Sequence, residues 1–342
     1  MLYTLLRPLL FKLDPEFAHC ITFSAIEQVR KLGLLRNTAI VCQTRNVMGL
    51  DFPNPVGLAA GLDKNGEHLD ALAALGFGFV EIGTVTPRPQ PGNPAPRIFR
   101  IPEANAVINR LSFNNHGVDQ LIENIKRSEY QGILGINIGK NFDTPLELAV
   151  EDYRISLQKV YRYASYVTVN ISSPNTQNLR QLQAADALDH LLSQLKSEQM
   201  KLAQIHGKYV SMVVKIAPDL EVAQIESIAA LLMKHQIDGV IATNTTISRT
   251  GIEHLRVAQE SGGLSGAPLT QRATAIVHQL YHLLQGAIPI IGVGGIMSAD
   301  DAQDKLKAGA SLIQLYTGLI YHGPDLVKEI AQAVCADKAK QS

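Results

Sequence analysis

The chain has 342 residues, of which 46% are apolar and 18% charged, and its 31 basic side chains are balanced by 31 acidic ones. A net charge of zero lacks the basic excess that is typical of nucleic-acid binders, so we expect no nucleic acid as a partner. The length is sufficient for one large domain with a small additional piece.

Residues 1 to about 36 are predicted to form helices. Leucines recur at helical spacing, at Leu2, Leu5, Leu6, Leu9, Leu10 and Leu13. Asp14-Pro15-Glu16 predicts the start of a second helix, with Asp14 as its cap, and Gly33 predicts its end. The first segment is shorter than the ~20 apolar residues that span a bilayer and lacks a signal-peptide cleavage site. We expect a protein that is soluble or lies on a membrane surface.

From Pro55 onward, short apolar runs alternate with helical stretches. The runs predicted to be strands are Val56–Ala60, Phe79–Gly83, Ile133–Ile138, Tyr166–Ile171, Val210–Ile216, Gly239–Thr243, Ile288–Val293 and Ser311–Tyr316. Several are apolar on both faces, as buried parallel strands require. The pattern predicts an α/β protein, a (β/α)8 TIM barrel over residues 41–342 with an N-terminal helical extension over residues 1–40. A doubly wound open sheet is the alternative.

A long insertion separates the second and third of these strands. It runs from Pro91 to Arg110, and two segments of alternating polarity, Arg97–Ile101 and Ala106–Ile108, flank a turn-like Pro102–Asn105. This pattern predicts a β-hairpin that lies over the mouth of the barrel.

Polar residues or glycines follow almost every predicted strand. They are Lys64, Thr84, Asn137, Asn170, Lys215, Thr243, Asn244, Gly294, Gly295 and Tyr316. A closed parallel barrel brings these strand ends to one face, where such barrels keep their chemistry. We therefore predict one pocket at that face, which binds a flavin and a small anion rich in amide groups.

Two glycine-rich runs, Gly262–Gly266 and Gly292–Gly295, come late in the chain. Glycines let backbone N–H groups approach phosphate oxygens, and loops near the last two strands are a common phosphate site in barrels. A tight turn without a ligand is the structural alternative. The chain has no intact G-x-G-x-x-G after its first strand, which favours a mononucleotide such as FMN over a dinucleotide.

Two lysines are candidates for fixed positive charges in the pocket. Lys215 lies inside the apolar run Val213–Ile216, where a lysine is costly unless a partner compensates it, although a lysine at a strand end also reaches the surface in many proteins. A cation suits a flavin that gains negative charge on reduction. Lys64 is predicted to hold a substrate carboxylate.

Asparagines make up much of the remaining rim, at Asn109, Asn137, Asn170, Asn175 and Asn244. Each offers a donor and an acceptor to a ring with alternating N–H and C=O groups, while a turn role is the alternative for Asn175. Ser173 lacks a neighbouring histidine and a G-x-S-x-G elbow, so its residue type alone indicates a loop hydroxyl. The strand ends collect no set of metal ligands, and we expect no metal.

The three cysteines, Cys20, Cys42 and Cys335, have neither metal-like nor redox spacing. We expect unpaired thiols in a reducing compartment.

Over nearly its whole length, from Asp14-Pro15-Glu16 to Gly323-Pro324, the chain resembles the class 2 dihydroorotate dehydrogenases, which are quinone-dependent and membrane-associated. The motifs that carry the resemblance are Ala60–Lys64 (AGLDK), Glu81–Pro91 (EIGTVTPRPQP), Gly135–Lys140 (GINIGK), Asn170–Thr176 (NISSPNT), Val214–Asp219 (VKIAPD), Ala242–Thr246 (ATNTT) and Gly262–Gly266 (GGLSG). The resemblance implies oxidation of dihydroorotate to orotate in de novo pyrimidine (UMP) biosynthesis. FMN would take the hydride from C6, a base would take the C5 proton, and a quinone would reoxidise the flavin.

The resemblance also implies roles for single residues. The base maps to Ser173, where a related class carries cysteine, and its proton-relay surroundings map to Thr176 and Phe113. Substrate contacts map to Lys64, Asn109, Arg110, Leu111, Ser112, Phe113, Asn170, Asn175, Asn244 and Thr245. FMN contacts map to Ala60, Gly61, Leu62, Asp63, Lys64, Thr84, Asn137, Asn170, Lys215, Thr243, Gly266, Gly295, Tyr316 and Thr317. His19 and Arg100 map to the inner end of a quinone funnel.

The resemblance further implies a monomer, bound peripherally through its N-terminal helices to the cytoplasmic face of the inner membrane. Two positions depart from the family pattern. Ser112 stands where relatives usually carry glycine, and serine would strain the loop if that position has φ > 0. Thr317 stands where some relatives carry serine.

Two other hypotheses stay open. One is an FMN barrel that acts on another pyrimidine with a nicotinamide or iron–sulfur partner, although the chain has no cysteine cluster for iron–sulfur ligation. The other is a non-catalytic barrel that binds a nucleotide or docks on membranes.

Overall fold

The structure is a computed structural model that describes residues 2–34, 40 and 42–339. Within these residues the helices are α1 (Leu2–Leu10), α2 (Pro15–Lys31), α3 (Leu69–Ala73), α4 (Val118–Arg127), α5 (Ala149–Val160), α6 (Ala185–His206), α7 (Val222–Lys234), α8 (Thr270–Leu284), α9 (Ala299–Lys307), α10 (Thr317–His322) and α11 (Asp325–Ala339). The strands are β1 (Arg45–Val47), β2 (Leu50–Phe52), β3 (Val56–Leu58), β4 (Phe79–Val85), β5 (Ile98–Ile101), β6 (Ala106–Asn109), β7 (Ile133–Ile138), β8 (Tyr166–Asn170), β9 (Ser211–Ile216), β10 (Gly239–Ala242), β11 (Gly263–Gly266), β12 (Ile290–Val293) and β13 (Leu312–Leu315).

The central feature is a closed barrel of parallel strands in the order β3-β4-β7-β8-β9-β10-β12-β13. The last strand pairs with the first, with Ile313 opposite Val56 and Leu315 opposite Leu58. Seven of the eight predicted runs contain a barrel strand, and the eighth, Phe79–Gly83, lies within the longer β4. The predicted (β/α)8 barrel is therefore confirmed and the open sheet is wrong. Helices surround the barrel and bury their apolar faces against its outer side.

Aromatic side chains fill the end of the barrel where the strands begin. Phe79 and Tyr166, the first residues of β4 and β8, lie inside the barrel with ring centroids 6.4 Å apart. Phe52, from the antiparallel β1–β2 hairpin, packs edge-on against Phe79 at 5.1 Å. This plug closes one end, so a cavity is left only towards the carboxyl ends of the strands.

The predicted hairpin is also present, as β5 and β6 in antiparallel pairing. A strand that the sequence did not predict joins it, because the glycine-rich run pairs with β6 as β11, with Gly263 opposite Asn109 and Gly266 opposite Ala106. Glycine is required at position 266, where φ is +98° and a Cβ atom would lie 2.2 Å from the Asn105 carbonyl oxygen. In the resulting three-stranded sheet, Asn109 is the last residue of the central strand, β6.

The second N-terminal helix, α2, begins and ends as the sequence predicts. The Asp14 carboxylate accepts hydrogen bonds from the backbone N–H groups of Glu16 and Phe17, both at 3.0 Å. At the other end, Gly33 has φ +68° and the N–H of Leu34 donates to the Val29 carbonyl, which completes a Schellman motif.

The hairpin sheet holds these helices in place. Arg97, just before β5, forms a bidentate ion pair with Glu16 of α2 at 2.8 Å. Arg100 of β5 donates to the carbonyl oxygens of Leu10 and Leu13 at the end of α1. The helices are therefore attached to the structure that covers the barrel mouth.

We expect Asp14→Ala to destabilise α2 by about 1 kcal/mol, because two backbone donors lose their cap. Faster hydrogen exchange of the α2 amides, with unchanged exchange in the barrel strands, would show this. Asp14→Asn is the matched control, since asparagine caps equally well; an equal loss in both variants would show that the charge matters rather than the cap.

The expectation of three unpaired thiols is wrong for two of them. Cys42 and Cys335 form a disulfide with their Cα atoms 5.3 Å apart, whereas Cys20 is an exposed free thiol. The two partners are 293 residues apart, so no spacing pattern could reveal the pair. They meet because α11 returns to the segment that leads into the barrel.

The expected boundary between residues 40 and 41 falls beside residues 35–39 and 41, which lie outside the described residues. Within the described part of the chain, no helix combines the length and the apolar character that crossing a bilayer requires.

Candidate active site

A cavity of about 930 Å³, counting its open mouth, lies at the carboxyl ends of the barrel strands. Lys64 and Lys215 both line it, so the two candidate cations share one pocket as expected. The other predicted residues on its wall are Ala60, Gly61, Thr84, Asn109, Leu111, Ser112, Phe113, Asn170, Ser173, Asn175, Thr243, Asn244, Thr245, Gly266, Gly295, Tyr316 and Thr317.

Four predicted contacts do not line this wall. Asn137 lies one layer deeper, and the Asp63 carboxylate accepts from the N–H groups of Glu67 and His68. Leu62 lines a different cavity. The Arg110 side chain turns outward to an ion pair with Glu260 at 2.6 Å. Neighbouring positions in a motif therefore point in different directions once the loop is folded.

The two lysines differ in how their charge is held. The Lys64 ammonium donates to the Gly61 carbonyl at 2.9 Å, and burial lowers the pKa of Lys64 to about 8, against an opposing effect of Glu16. Lys215 makes no hydrogen bond to any described residue, and burial lowers its pKa while Glu81 raises it. Both are thus desolvated cations available to an anionic ligand.

Amide side chains form a connected network along one wall. Asn170 donates to Thr84 Oγ1 at 2.9 Å and to Asn137 Oδ1 at 3.2 Å. Asn244 donates to Ser172 Oγ at 3.0 Å, and Asn175 donates to Asn109 Oδ1 at 3.2 Å. Since buried amides in such a chain hold one another's orientation, this wall presents fixed donors and acceptors.

Ser173 lies on the loop after β8, and its side chain is almost completely buried at the cavity wall. Its Oγ accepts the N–H of Asn175 at 3.3 Å. The buried Thr176 hydroxyl has no hydrogen-bond partner among the described residues. The loop is anchored by Arg180, which donates to the carbonyls of Ser172 and Thr245 at 3.0 and 2.8 Å.

Ser112, which stands where relatives usually carry glycine, has the positive φ at which a serine is strained. Ser112 has φ +58° and the following Phe113 has φ +53°, both in the left-handed region that costs a non-glycine residue roughly 1 kcal/mol or more. Gln90 donates to the Ser112 carbonyl at 2.9 Å and stabilises the loop in this conformation.

A glycine cradle lies near the last strands. Gly295 has φ +75°, and a Cβ atom there would lie 2.2 Å from the Cα of Thr270, so only glycine lets these segments approach. The Thr317 hydroxyl, at the start of α10, donates to Ser265 Oγ at 2.8 Å.

Sequence reasoning missed several residues of the site. Gln314 and Ser265 line the cavity, and Glu81 lies beneath it, completely buried. Glu81 stands inside the apolar strand β4, which is the same signal that identified Lys215. Gln314 carries the same signal, between Ile313 and Leu315 of β13, and Ser265 lies within the glycine-rich run Gly262–Gly266.

A second, larger cavity of about 2120 Å³ lies between the N-terminal helices and the barrel. It is mostly apolar, and His19 and Arg100 line it as predicted for the funnel. Burial lowers the pKa of His19 to about 4, so its imidazole is neutral near neutral pH. Asn109, Leu111 and Tyr316 line both cavities, which are therefore adjacent.

Comparison with known proteins agrees with this architecture. The family model described as dihydroorotate dehydrogenase matches residues 42–336. A "Dihydroorotate dehydrogenase (quinone)" from Nitrosospira multiformis is 68% identical over 335 residues, covering 98% of this chain and 96% of the relative. The protein of the same name from Nitrosomonas eutropha is 64% identical and covers 98% of both chains.

A solved structure shows the same fold. The crystal structure of DHODH from Eimeria tenella in complex with ferulenol has a TM-score of 0.88 and 37% identity, over 96% of this chain and 92% of that one. The chain therefore belongs to the dihydroorotate dehydrogenase family and, within it, to the quinone-dependent class 2 enzymes, which oxidise dihydroorotate in pyrimidine biosynthesis.

Proposed function

We propose that this enzyme holds FMN and dihydroorotate in the barrel cavity and a membrane quinone in the second cavity. The observation that carries the proposal is that the two cavities are adjacent and share Tyr316 and Leu111 as wall residues. A polar, amide-rich pocket suits a pyrimidine and an isoalloxazine ring, whereas an apolar one suits a quinone. Electrons would then pass between adjacent ligands.

The residues present fit FMN. The amide oxygen of Gln314 is buried at the cavity without a partner among the described residues, and Lys215 offers a cation. Gly266 and Gly295 line the cavity, and backbone N–H groups at these positions are proposed to bind the phosphate. When bound, FMN supplies a hydride acceptor and a two-electron donor to quinone. Its proposed contacts are Ala60, Gly61, Leu62, Asp63, Lys64, Thr84, Asn137, Asn170, Lys215, Thr243, Gly266, Gly295, Tyr316 and Thr317, with Leu62, Asp63 and Asn137 supporting the wall from behind.

The substrate is proposed to lie between Lys64 and the amide wall. The Lys64 ammonium pairs with the carboxylate of dihydroorotate, and Asn109, Asn175 and Asn244 bind the ring's amide groups. Leu111, Ser112 and Phe113 are proposed to cover the substrate from the hairpin side. Arg110 would hold this loop in place through its ion pair with Glu260, without touching the substrate. This arrangement orients C5 of the substrate towards the loop after β8.

Ser173 is proposed to take the proton from C5. A serine hydroxyl is a weak base in water, so it needs a group that removes its own proton as it acts. The buried, unpartnered Thr176 hydroxyl on the same loop would accept the proton that Ser173 gives up and would release its own towards solvent. Phe113 lines the same cavity and is proposed to belong to the surroundings of this relay.

The N-terminal helices are proposed to bind the membrane surface and admit the quinone. Their outer faces expose large apolar side chains, including Leu5, Leu9 and Phe17, which are 75%, 61% and 55% exposed. An amphipathic helix with such a face lies in the interface of a bilayer. His19 and Arg100 would contact the quinone head. We propose a monomer on the cytoplasmic face of the inner membrane, with residues 1–40 as the quinone-access unit and 41–342 as the catalytic barrel.

Orotate binding should weaken as the pH rises above about 8. Burial lowers the pKa of Lys64 from 10.5 to about 8, so the ammonium is present below that pH and lost above it. We expect the dissociation constant of orotate, measured by its effect on the flavin spectrum, to rise through this range. Lys64→Arg stays charged and should remove the rise; the same rise in that variant would assign it to another group.

The visible spectrum of the purified enzyme tests the proposed function as a whole. We expect bound FMN to bleach when dihydroorotate is added without oxygen and to recover when a quinone is added. Turnover with NAD but not with quinone would favour an FMN barrel with a nicotinamide partner. Protein that stays colourless after FMN addition would favour a non-catalytic barrel.

A further inference from the structure

A buried carboxylate lies under the barrel cavity, at Glu81 of β4. Its side chain is completely inaccessible to solvent. It accepts three hydrogen bonds, from Asn137 Nδ2 at 2.8 Å, Tyr166 Oη at 2.9 Å and Gln314 Nε2 at 2.7 Å. The donors are all neutral, and no described cation lies within ion-pairing distance of this carboxylate. A charge held in this way is costly to bury.

Two of the three donors lead directly to the cavity. Gln314 lines its wall, and its amide oxygen is left without a partner because its nitrogen is committed to Glu81. Asn137 likewise commits its nitrogen, so its oxygen accepts from the cavity residues Thr84 and Asn170, at 2.6 and 3.2 Å. The Glu81 carboxylate therefore orients both amides so that the oxygens of Asn137 and Gln314, rather than their nitrogens, are directed away from it.

Glu81 also acts on the buried cation of the cavity. It is the group whose negative charge favours the charged form of Lys215, although the two side chains do not hydrogen-bond. Lys215 stabilises negative charge in a ligand above it, and Glu81 opposes that effect through a medium of low dielectric constant. Glu81 and Lys215 together thus influence the electrostatic potential in the barrel cavity where the flavin ring is proposed to bind.

We propose that Glu81 is a positioning residue for the flavin: it orients the amides of Asn137 and Gln314 and offsets the charge of Lys215, which keeps the reduced flavin from becoming too stable to pass its electrons on. This inference rests on the proposed binding of FMN. It predicts that the midpoint potential of the flavin rises when Glu81 loses its charge, because removing a negative charge favours the reduced, more negative flavin.

The test is the two-electron midpoint potential of the FMN-loaded enzyme. In Glu81→Gln we expect the equilibrium to shift towards the reduced form by about tenfold, which for a two-electron couple is about +30 mV. Reduction by dihydroorotate should become easier and reoxidation by quinone slower. An unchanged or lower potential in a variant that retains FMN would overturn the inference, while wild-type protein that binds no FMN would instead overturn the proposed function.

Two further variants separate charge from structure. Tyr166→Phe removes one donor but keeps the carboxylate, so its potential should stay near that of the wild type; a shift as large as that of Glu81→Gln would assign the effect to local packing and overturn the inference. The double variant Glu81→Gln with Lys215→Met removes both charges. Its potential should lie above that of Lys215→Met alone. If Glu81→Gln does not fold, the double variant should fold, because it no longer contains an uncompensated Lys215. A double variant that also fails to fold would overturn the inference that Glu81 offsets the charge of Lys215.

Discussion

Ser173→Ala is expected to slow the reduction of bound FMN by dihydroorotate by about 10²- to 10⁴-fold, the usual contribution of a positioned general base. FMN content and orotate affinity should change little, because the Ser173 hydroxyl accepts one weak 3.3 Å bond from Asn175 and contributes no charge to the pocket. Anaerobic stopped-flow spectroscopy of the flavin measures this rate directly.

Three features of the structure support the proposal that Ser173 is the base. Its hydroxyl is withdrawn from bulk water, and Arg180 holds its loop through the Ser172 and Thr245 carbonyls. The unpartnered Thr176 hydroxyl lies on the same loop. A base that is fixed and shielded loses less to solvent reorganisation than one in water.

Ser172→Ala is the matched control for this prediction. Ser172 hydrogen-bonds to Asn170 and Asn244 but does not line the cavity. We expect a loss of no more than about tenfold, as for one neutral hydrogen bond. Ser173→Cys should restore part of the activity, since a thiol also accepts the proton. Equal losses in the alanine variants at 172 and 173 would remove Ser173 from the role of base.

Deleting residues 1–36 is expected to lower turnover with a membrane quinone by roughly two orders of magnitude, while turnover with a small soluble dye changes little. Half of the residues that line the second cavity come from the deleted segment, chiefly from α1 and α2. Losing even ~100 Å² of apolar contact with the quinone costs about 2.5 kcal/mol, which is a factor of roughly 50–100 in affinity. The ratio of the two activities is the measurement.

The barrel cavity should survive this deletion because none of its lining residues comes from α1 or α2. The barrel also closes through its own strand pairing. Vesicle sedimentation should show lost membrane binding, and thermal unfolding monitored by flavin fluorescence controls for stability. Equal losses with quinone and dye would show that the helices support folding instead.

The ion pair between Glu16 and Arg97 is one place where the two sites are physically linked. Glu16 lies on α2, Arg97 lies at the hairpin sheet, and both influence the pKa of Lys64. The same sheet ends at Asn109 and leads into the Ser112–Phe113 loop. The Glu16–Arg97 ion pair therefore connects α2 to the sheet from which this loop continues.

The sequence alone was sufficient to predict the barrel, its strands and most of the cavity wall. Strand and helix periodicity are local properties, and parallel strands in a closed ring must bring their carboxyl ends together. Lys64, Lys215 and the asparagines could be placed at one pocket for that reason. The start of α2 at Asp14 was predictable because a helix cap depends on neighbouring residues only.

Other features were decided only when the chain closed on itself. Glu81 meets Gln314 across 233 residues, Cys42 meets Cys335 across 293, and β11 joins β6 from far along the chain. Such contacts leave no periodic trace, because the sequence around one partner does not indicate which distant residue it will meet. The side-chain direction within a loop, which turned Arg110 and Asp63 away from the cavity, likewise depends on the backbone torsions that long-range packing imposes.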